Sequence, residues 1–215
     1  MKIAERVREI RARAGEVRLL AVTKTVGIPA IAEAIEAGVT DIGESRISEA
    51  KTKYDELKRR FPAVRWHMIG HLQTNKVNAA LQIFDVIQSV DSLHLAEAIG
   101  NRAKNPVEIM LEVNTSGEES KHGVRPEEVL GLARAASRLS NLKITGLMTM
   151  GPLTDDEQRI RASFRELREI RDRLNAEGFK NIVHLSMGMS DDFPLAIEEG
   201  SDIIRIGRAI FAGEE

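Results

Sequence analysis

Short aliphatic runs alternate with amphipathic stretches along the whole chain. The runs predict strands at Arg18 to Lys24, Thr40 to Gly43, Val64 to Gly70, Val86 to Val90, Val107 to Asn114, Ile144 to Met150, Ile182 to Met187 and Asp202 to Ile206. Between them, apolar positions at helical spacing predict helices at Pro29 to Ala37, Ser45 to Arg60, Asn75 to Gln82, Ser92 to Lys104, Pro126 to Ser140, Asp155 to Glu177 and Phe193 to Glu199. Eight strands alternating with helices imply a parallel sheet, and at this count a closed (β/α)₈ TIM barrel rather than an open doubly wound sheet. The phosphate fingerprints of the open-sheet class agree, since no GxGxxG or GxxxxGKS run follows any strand. Asp91 or Ser92, and Thr154 ahead of three acids, are expected helix caps.

No linker, repeat or low-complexity tract breaks the pattern, so residues 1–215 are expected to form one domain. Only Ala209 to Glu215 follow the eighth strand, too few for a full closing helix. An N-terminal helix, Ile3 to Ala14 within residues 1–15, is expected to pack where that helix would lie, burying Ile3, Val7 and Ile10.

Composition narrows the function. With 31 basic and 33 acidic residues spread along the chain and a net charge of −2, there is no electrostatic footprint for nucleic acid or an anionic membrane. The absence of cysteine excludes disulfides, thiolate metal sites and thiol nucleophiles. No signal-peptide-like or long apolar run is present, so a cytoplasmic protein is expected. Even charge without an apolar surface run leans monomeric.

In barrel enzymes the active face is built from the C-terminal ends of the strands. There the chain places Lys24, Gly43 with Glu44, His67 and His71, Asn114 with Ser116, Met148 and Met150, Ser186 through Asp191, and Arg205 with Gly207 and Arg208. A lysine ending an aliphatic run is the residue type that, when buried, forms Schiff bases with aldehydes. The loops after strands seven and eight, SMGMSDD and RIGRA, suit a phosphate monoester: Gly188 admits close backbone approach, Ser190 offers a hydroxyl, and the turn at Gly207, Arg208 and Ala209 presents N–H groups. A phosphate-bearing aldehyde fits both features. So does a phosphosugar aldolase using Lys24 without a cofactor.

The segments AVTKT, HMIGHLQTNK, QSVDSLHLAEAI, EVNTSGEESKHG, GLMTMGP, LSMGMSDDFPLAI and SDIIRIGRAIF resemble the pyridoxal phosphate homeostasis protein family, from about Leu20 to Phe211. The resemblance implies a single-domain barrel similar to the N-terminal domain of alanine racemase, carrying pyridoxal 5′-phosphate (PLP) as a Schiff base on Lys24. It further implies Ser190 and the backbone around Gly207 and Arg208 on the phosphate, with Gly188 and Met189 in the same loop, and Arg205 facing the pyridine nitrogen. His67, Met148 and Ser45 complete the expected cofactor set. Ser45 is a departure, because the family usually has Asn there and a hydroxyl cannot replace a carboxamide's paired donor and acceptor.

The family role is PLP homeostasis: holding the aldehyde and handing it to apo-enzymes that use PLP, without robust catalysis. A permanently cationic guanidinium at the pyridine nitrogen favours an unprotonated ring and a weaker electron sink. The chain's one tyrosine, Tyr54, falls on a helix rather than at the mouth, which argues against a two-base racemase. The alternative is a PLP-dependent racemase, transaminase or lyase of modest activity. His67 and His71 resemble a metal pair but straddle a strand end and lack an HExxH context, so no metal is expected. The loop Ser116 to Gly123 is read either as a lid or docking surface or as a solvated loop.

Overall fold

The computed structural model describes residues 2–213. Eight parallel strands close in sequential order: β1 Arg18–Val22, β2 Asp41–Glu44, β3 Arg65–Met68, β4 Val86–Val90, β5 Val107–Glu112, β6 Leu142–Met148, β7 His184–Ser186 and β8 Ile203–Ile206. β8 returns to β1 with Arg18 opposite Ile203 and Ala21 opposite Ile206. The expected barrel is therefore present. The helices are α1 Ile3–Ala14, α2 Ile28–Glu36, α3 Ile47–Arg60, α4 Val77–Ala80, α5 Leu93–Arg102, α6 Val129–Ala136, α7 Glu157–Ala176, α8 Phe193–Glu198 and α9 Arg208–Phe211. No helix among the described residues is long and apolar enough to cross a membrane.

The period-two alternation of the strands divides the core. Ala21, Ile42, Trp66, Ile109, Leu147, Leu185 and Ile204 join the helices in one large apolar cluster. Leu20, Val86, Met110, Met148 and Ile203 form a separate, smaller cluster. It fills the barrel interior, as small barrels require. Outside the wall, Tyr54 of α3 meets Trp66 edge-on at a centroid distance of 5.1 Å.

At the seam between β8 and β1, α1 packs on α2, α8 and α9. Its apolar stripe of Ile3, Val7, Ile10 and Ala14 is buried. Arg6 Nη1 donates to the carbonyls of Ile210 and Ala212, both at 2.9 Å, so one guanidinium satisfies acceptors at the open end of α9.

Several strands stop earlier than their apolar runs. β1 ends at Val22 rather than Lys24, β3 at Met68 rather than Gly70, and β5 at Glu112 rather than Asn114. The side-chain pattern persists beyond the last ladder bond, because residues leaving the barrel still pack on its rim. Ser92 caps α5, its Oγ accepting from Leu95 N at 3.3 Å. The cap of α7 is Asp156, which accepts from Gln158 N and Arg159 N; Thr154 instead accepts from Asp156 N at 3.2 Å.

Candidate functional site

β1 gives way to a tight turn in which Val26 N donates to Thr23 O at 3.1 Å. Thr25 adopts φ 63°, a left-handed conformation unfavourable for a β-branched residue, so the turn needs support. Lys53 of α3 supplies it from below. Its buried ammonium donates to Thr23 O at 2.8 Å, Glu44 Oε1 at 2.9 Å and Glu49 Oε1 at 2.8 Å, spending all three donors. Glu49 also accepts from Thr25 N, and Thr23 Oγ1 donates to Glu44 at 2.7 Å. Burial pushes the pKa of Glu44 up, while Lys53 and Thr23 pull against it.

Lys24 is exposed, which corrects the expectation of a buried amine. The turn carries it past the last strand pair to the rim of a cavity of about 320 Å³, lined also by Met189, Ser190, Arg205, Gly207 and Arg208.

The opposite wall comes from the loops after β7 and β8. Gly188 has φ 95°, and a Cβ there would stand 2.6 Å from Ala196 Cβ, so only glycine lets the chain turn over α8. Its carbonyl accepts from Arg205 N at 2.9 Å. Ala209 N donates to Ser190 Oγ at 3.2 Å, joining the two loops. The N–H groups that open α9 at Arg208 and Ala209 lie outside its internal ladder. The Arg208 guanidinium pairs instead with Asp191, both exposed.

Arg205 forms the floor. It is 4% exposed, with Nη1 donating to Ser186 Oγ at 2.9 Å and Nη2 to Thr149 O at 2.7 Å. Burial pulls its pKa down to about 10 against the opposing pull of Asp192 and Glu112, so it remains cationic at neutral pH. Below it a polar chain threads the barrel interior. Ser186 Oγ donates to Gln88 Oε1 at 2.7 Å, Gln88 Nε2 lies 3.0 Å from His67 Nδ1, and His67 Nε2 lies 2.8 Å from Asp41 Oδ1. The Asp41 carboxylate can only accept, so Nε2 carries the proton and Nδ1 accepts from Gln88. Burial lowers the pKa of His67, the hydrogen bond to Asp41 notwithstanding, which keeps the ring neutral.

Glu112 ends β5 at 5% exposure. Burial first, then repulsion from Asp91, pushes its pKa up to about 7, with Arg205 working against both.

The alanine racemase N-terminal domain family model matches residues 1–215. A pyridoxal phosphate homeostasis protein from Aquifex aeolicus is 42% identical over 217 residues, covering 98% of this chain and 94% of that protein. One from Pseudomonas aeruginosa is 39% identical over 221 residues, covering 100% and 94%. The chain belongs to the pyridoxal phosphate homeostasis protein family. Among solved structures, PipY of Synechococcus elongatus with PLP bound superposes with a TM-score of 0.90 at 34% identity, covering 98% of this chain and all of that one, 100%. Alanine racemase from Corynebacterium glutamicum shares the fold, with a TM-score of 0.81 at 18% identity over 99% of this chain and 63% of its own.

Of the positions carried over from the homeostasis-protein motifs, the structure gathers Lys24, Met189, Ser190, Arg205, Gly207 and Arg208 around one cavity, with Gly188 shaping the loop beneath. Three others lie elsewhere. His67 is 0% exposed inside the barrel with both nitrogens engaged, because alternation turns it inward between Trp66 and Met68, which pack on the helix side of β3. Met148 belongs to the interior apolar cluster. Ser45 bends away against Gly70, where a Cβ would stand 2.4 Å from Ser45 O, and lines a separate groove with His71, Gln73 and Lys76. The positions missed by sequence reasoning are Glu112, Gln88 and Thr149. A polar residue interrupting an aliphatic strand, as in VIQSV and VEIMLE, was the available signal.

Proposed function

We propose that this chain binds PLP covalently through Lys24 and serves PLP homeostasis, holding the aldehyde and passing it to apo-enzymes. The observation that carries this reading is the single cavity between Lys24 and the Ser190–Gly207 loops, floored by Arg205, in a chain 34% identical to a PipY structure with PLP bound. The residues fit the group. The volume, about 320 Å³, lies at the small end of ligand pockets, and the donors on the loop side are a hydroxyl and backbone N–H groups suited to a phosphate.

PLP when bound supplies an aldehyde carbon open to an amine and a ring able to delocalise charge. Lys24 provides the amine, and the Lys53 network keeps its turn in place. Ser190 and the N–H group of Arg208 would hold the phosphate, with Ala209 N orienting the Ser190 hydroxyl. Arg205, fixed by Ser186 and the Thr149 carbonyl, presents a cation to the pyridine nitrogen and donates hydrogen bonds without giving up a proton. Tyr54, packed on Trp66 outside the barrel wall, is not positioned as a second base. On this reading the protein acts as a monomeric, cytoplasmic carrier rather than an efficient enzyme.

One observation favours the modest-enzyme alternative: Glu112 is a buried carboxyl whose charge acts on Arg205. Borohydride reduction followed by mass spectrometry tests the binding reading, with a pyridoxyl group expected on Lys24. A label confined to Lys76 or Lys121 would overturn it. Turnover of any amino acid that disappears in Glu112→Gln would favour the enzyme.

A further inference from the structure

Away from the cavity, three metal-ligating side chains converge on the rim above β3, β4 and β5. His71 lies in the loop after β3, Asp91 directly follows β4, and His122 lies in the loop 114–124 after β5. His71 Nδ1 stands 3.5 Å from Asp91 Oδ2. The rings of His71 and His122 stack with centroids 4.3 Å apart and planes 15° apart, and one ligand atom from each of the three residues lies within 4.8 Å of the others. Ligand atoms around a tetrahedral zinc ion are about 3.3 Å apart. His71 and Asp91 therefore already hold that spacing, and the His122 ligand atom lies within 4.8 Å of both.

The loop that presents His122 is tied down on both sides. Asn114 N donates to Val124 O at 3.0 Å and Val124 N to Glu112 O at 2.8 Å. Asn114 Nδ2 donates to the carbonyls of Glu118 at 2.9 Å and Lys121 at 3.3 Å, and the Lys121 ammonium donates to Gly151 O. These bonds hold the turn while leaving Gly117, Glu119, Ser120 and His122 exposed. The sequence offered His67 as the partner of His71, and that pair fails because His67 is spent inside the barrel.

We propose that His71, Asp91 and His122 bind a divalent transition-metal ion. Two imidazoles and one carboxylate suit zinc, with water in the fourth position, and disfavour magnesium or calcium, which take oxygen ligands. The ion ties the loop 114–124 to the ends of β3 and β4.

Calorimetric titration of the untagged, chelator-dialysed, PLP-free 215-residue chain with zinc chloride tests the site. One equivalent is expected to bind. His71→Ala, His122→Ala and Asp91→Asn should each weaken it at least tenfold, while His94→Gln on the exposed face of α5 should not. The substituted histidines are exposed, so folding should be retained, and circular dichroism checks this. Zinc should also slow amide exchange across residues 115–123 in the wild type and not in His122→Ala. Absence of a binding event in the wild type, or wild-type affinity in the His71→Ala or His122→Ala variant, would overturn the site.

Discussion

Lys53 Nζ sits 2.8 Å from the carbonyl oxygen of Thr23, the residue that precedes Lys24. A buried cation thus sets the backbone that presents the proposed reactive amine. Lys53→Met keeps the apolar stem but leaves Glu44, which is 0% exposed, without its counter-ion. Removing one member of a buried pair costs roughly 3–5 kcal/mol, and urea denaturation should show a loss of that size. A loss below about 1 kcal/mol, the level of an exposed pair, would mean the network does not hold the turn.

On the phosphate side, Ser190→Ala removes one hydrogen bond to a charged acceptor, worth roughly 1.5–3 kcal/mol, so PLP affinity should fall about tenfold to a hundredfold. Pyridoxal lacking the phosphate should bind far more weakly than PLP. Asp191→Asn frees the Arg208 guanidinium and should tighten PLP binding, measured by equilibrium titration of absorbance. Equal affinities for the two aldehydes would misplace the phosphate.

Glu112 makes stability depend on pH. Its folded pKa of about 7 stands above the ordinary 4.5, so between these values the folded state holds a proton that the unfolded state has released. Stability therefore falls as pH rises through this window, by about 3 kcal/mol in all. Glu112→Gln should remove that fall. Comparing denaturant midpoints of the variant and wild type at pH 5 and above pH 7, with a chelator present, checks it; parallel profiles would contradict the assignment.

Arg205 sets an upper limit on chemistry. Its guanidinium cannot protonate the pyridine nitrogen at neutral pH, so the PLP-loaded wild type should exchange the Cα proton of amino acids only slowly in D₂O, followed by NMR. Exchange at about 1 s⁻¹ or faster, an ordinary enzymatic rate, would favour the enzyme reading.

The barrel was legible because each aliphatic run is long enough to show its period and each is followed by a helical one. Strand ends were less so: Lys24 continues the run of Leu19, Leu20 and Ala21 on paper, yet ladder pairing stops at Val22. The cavity-lining set around Lys24, Ser190 and Gly207 could be read from strand-end position alone. His67, Met148 and Ser45 could not, since whether a residue near a strand end faces the mouth, the interior or a neighbouring groove depends on register and on close contacts such as Gly70 against Ser45. The cluster of His71, Asp91 and His122 draws on three separate loops, and no spacing along the chain announces it.

The chain of bonds from Arg205 to Asp41 has a sense as well as a length. Every link from Arg205 through Ser186, Gln88 and His67 donates in the same direction, and each orientation is forced by the one below it. Adding a proton to His67 Nδ1 would turn an acceptor into a donor facing the Gln88 amide. Gln88 would have to flip, Ser186 would lose its acceptor, and the arginine at the floor of the cavity, still held by the Thr149 carbonyl, would share the Ser186 hydroxyl with the turned amide. A proton taken up at the centre of the barrel would thus be felt at its mouth as a reordered set of hydrogen bonds, which is a reason for this histidine to be kept so dry.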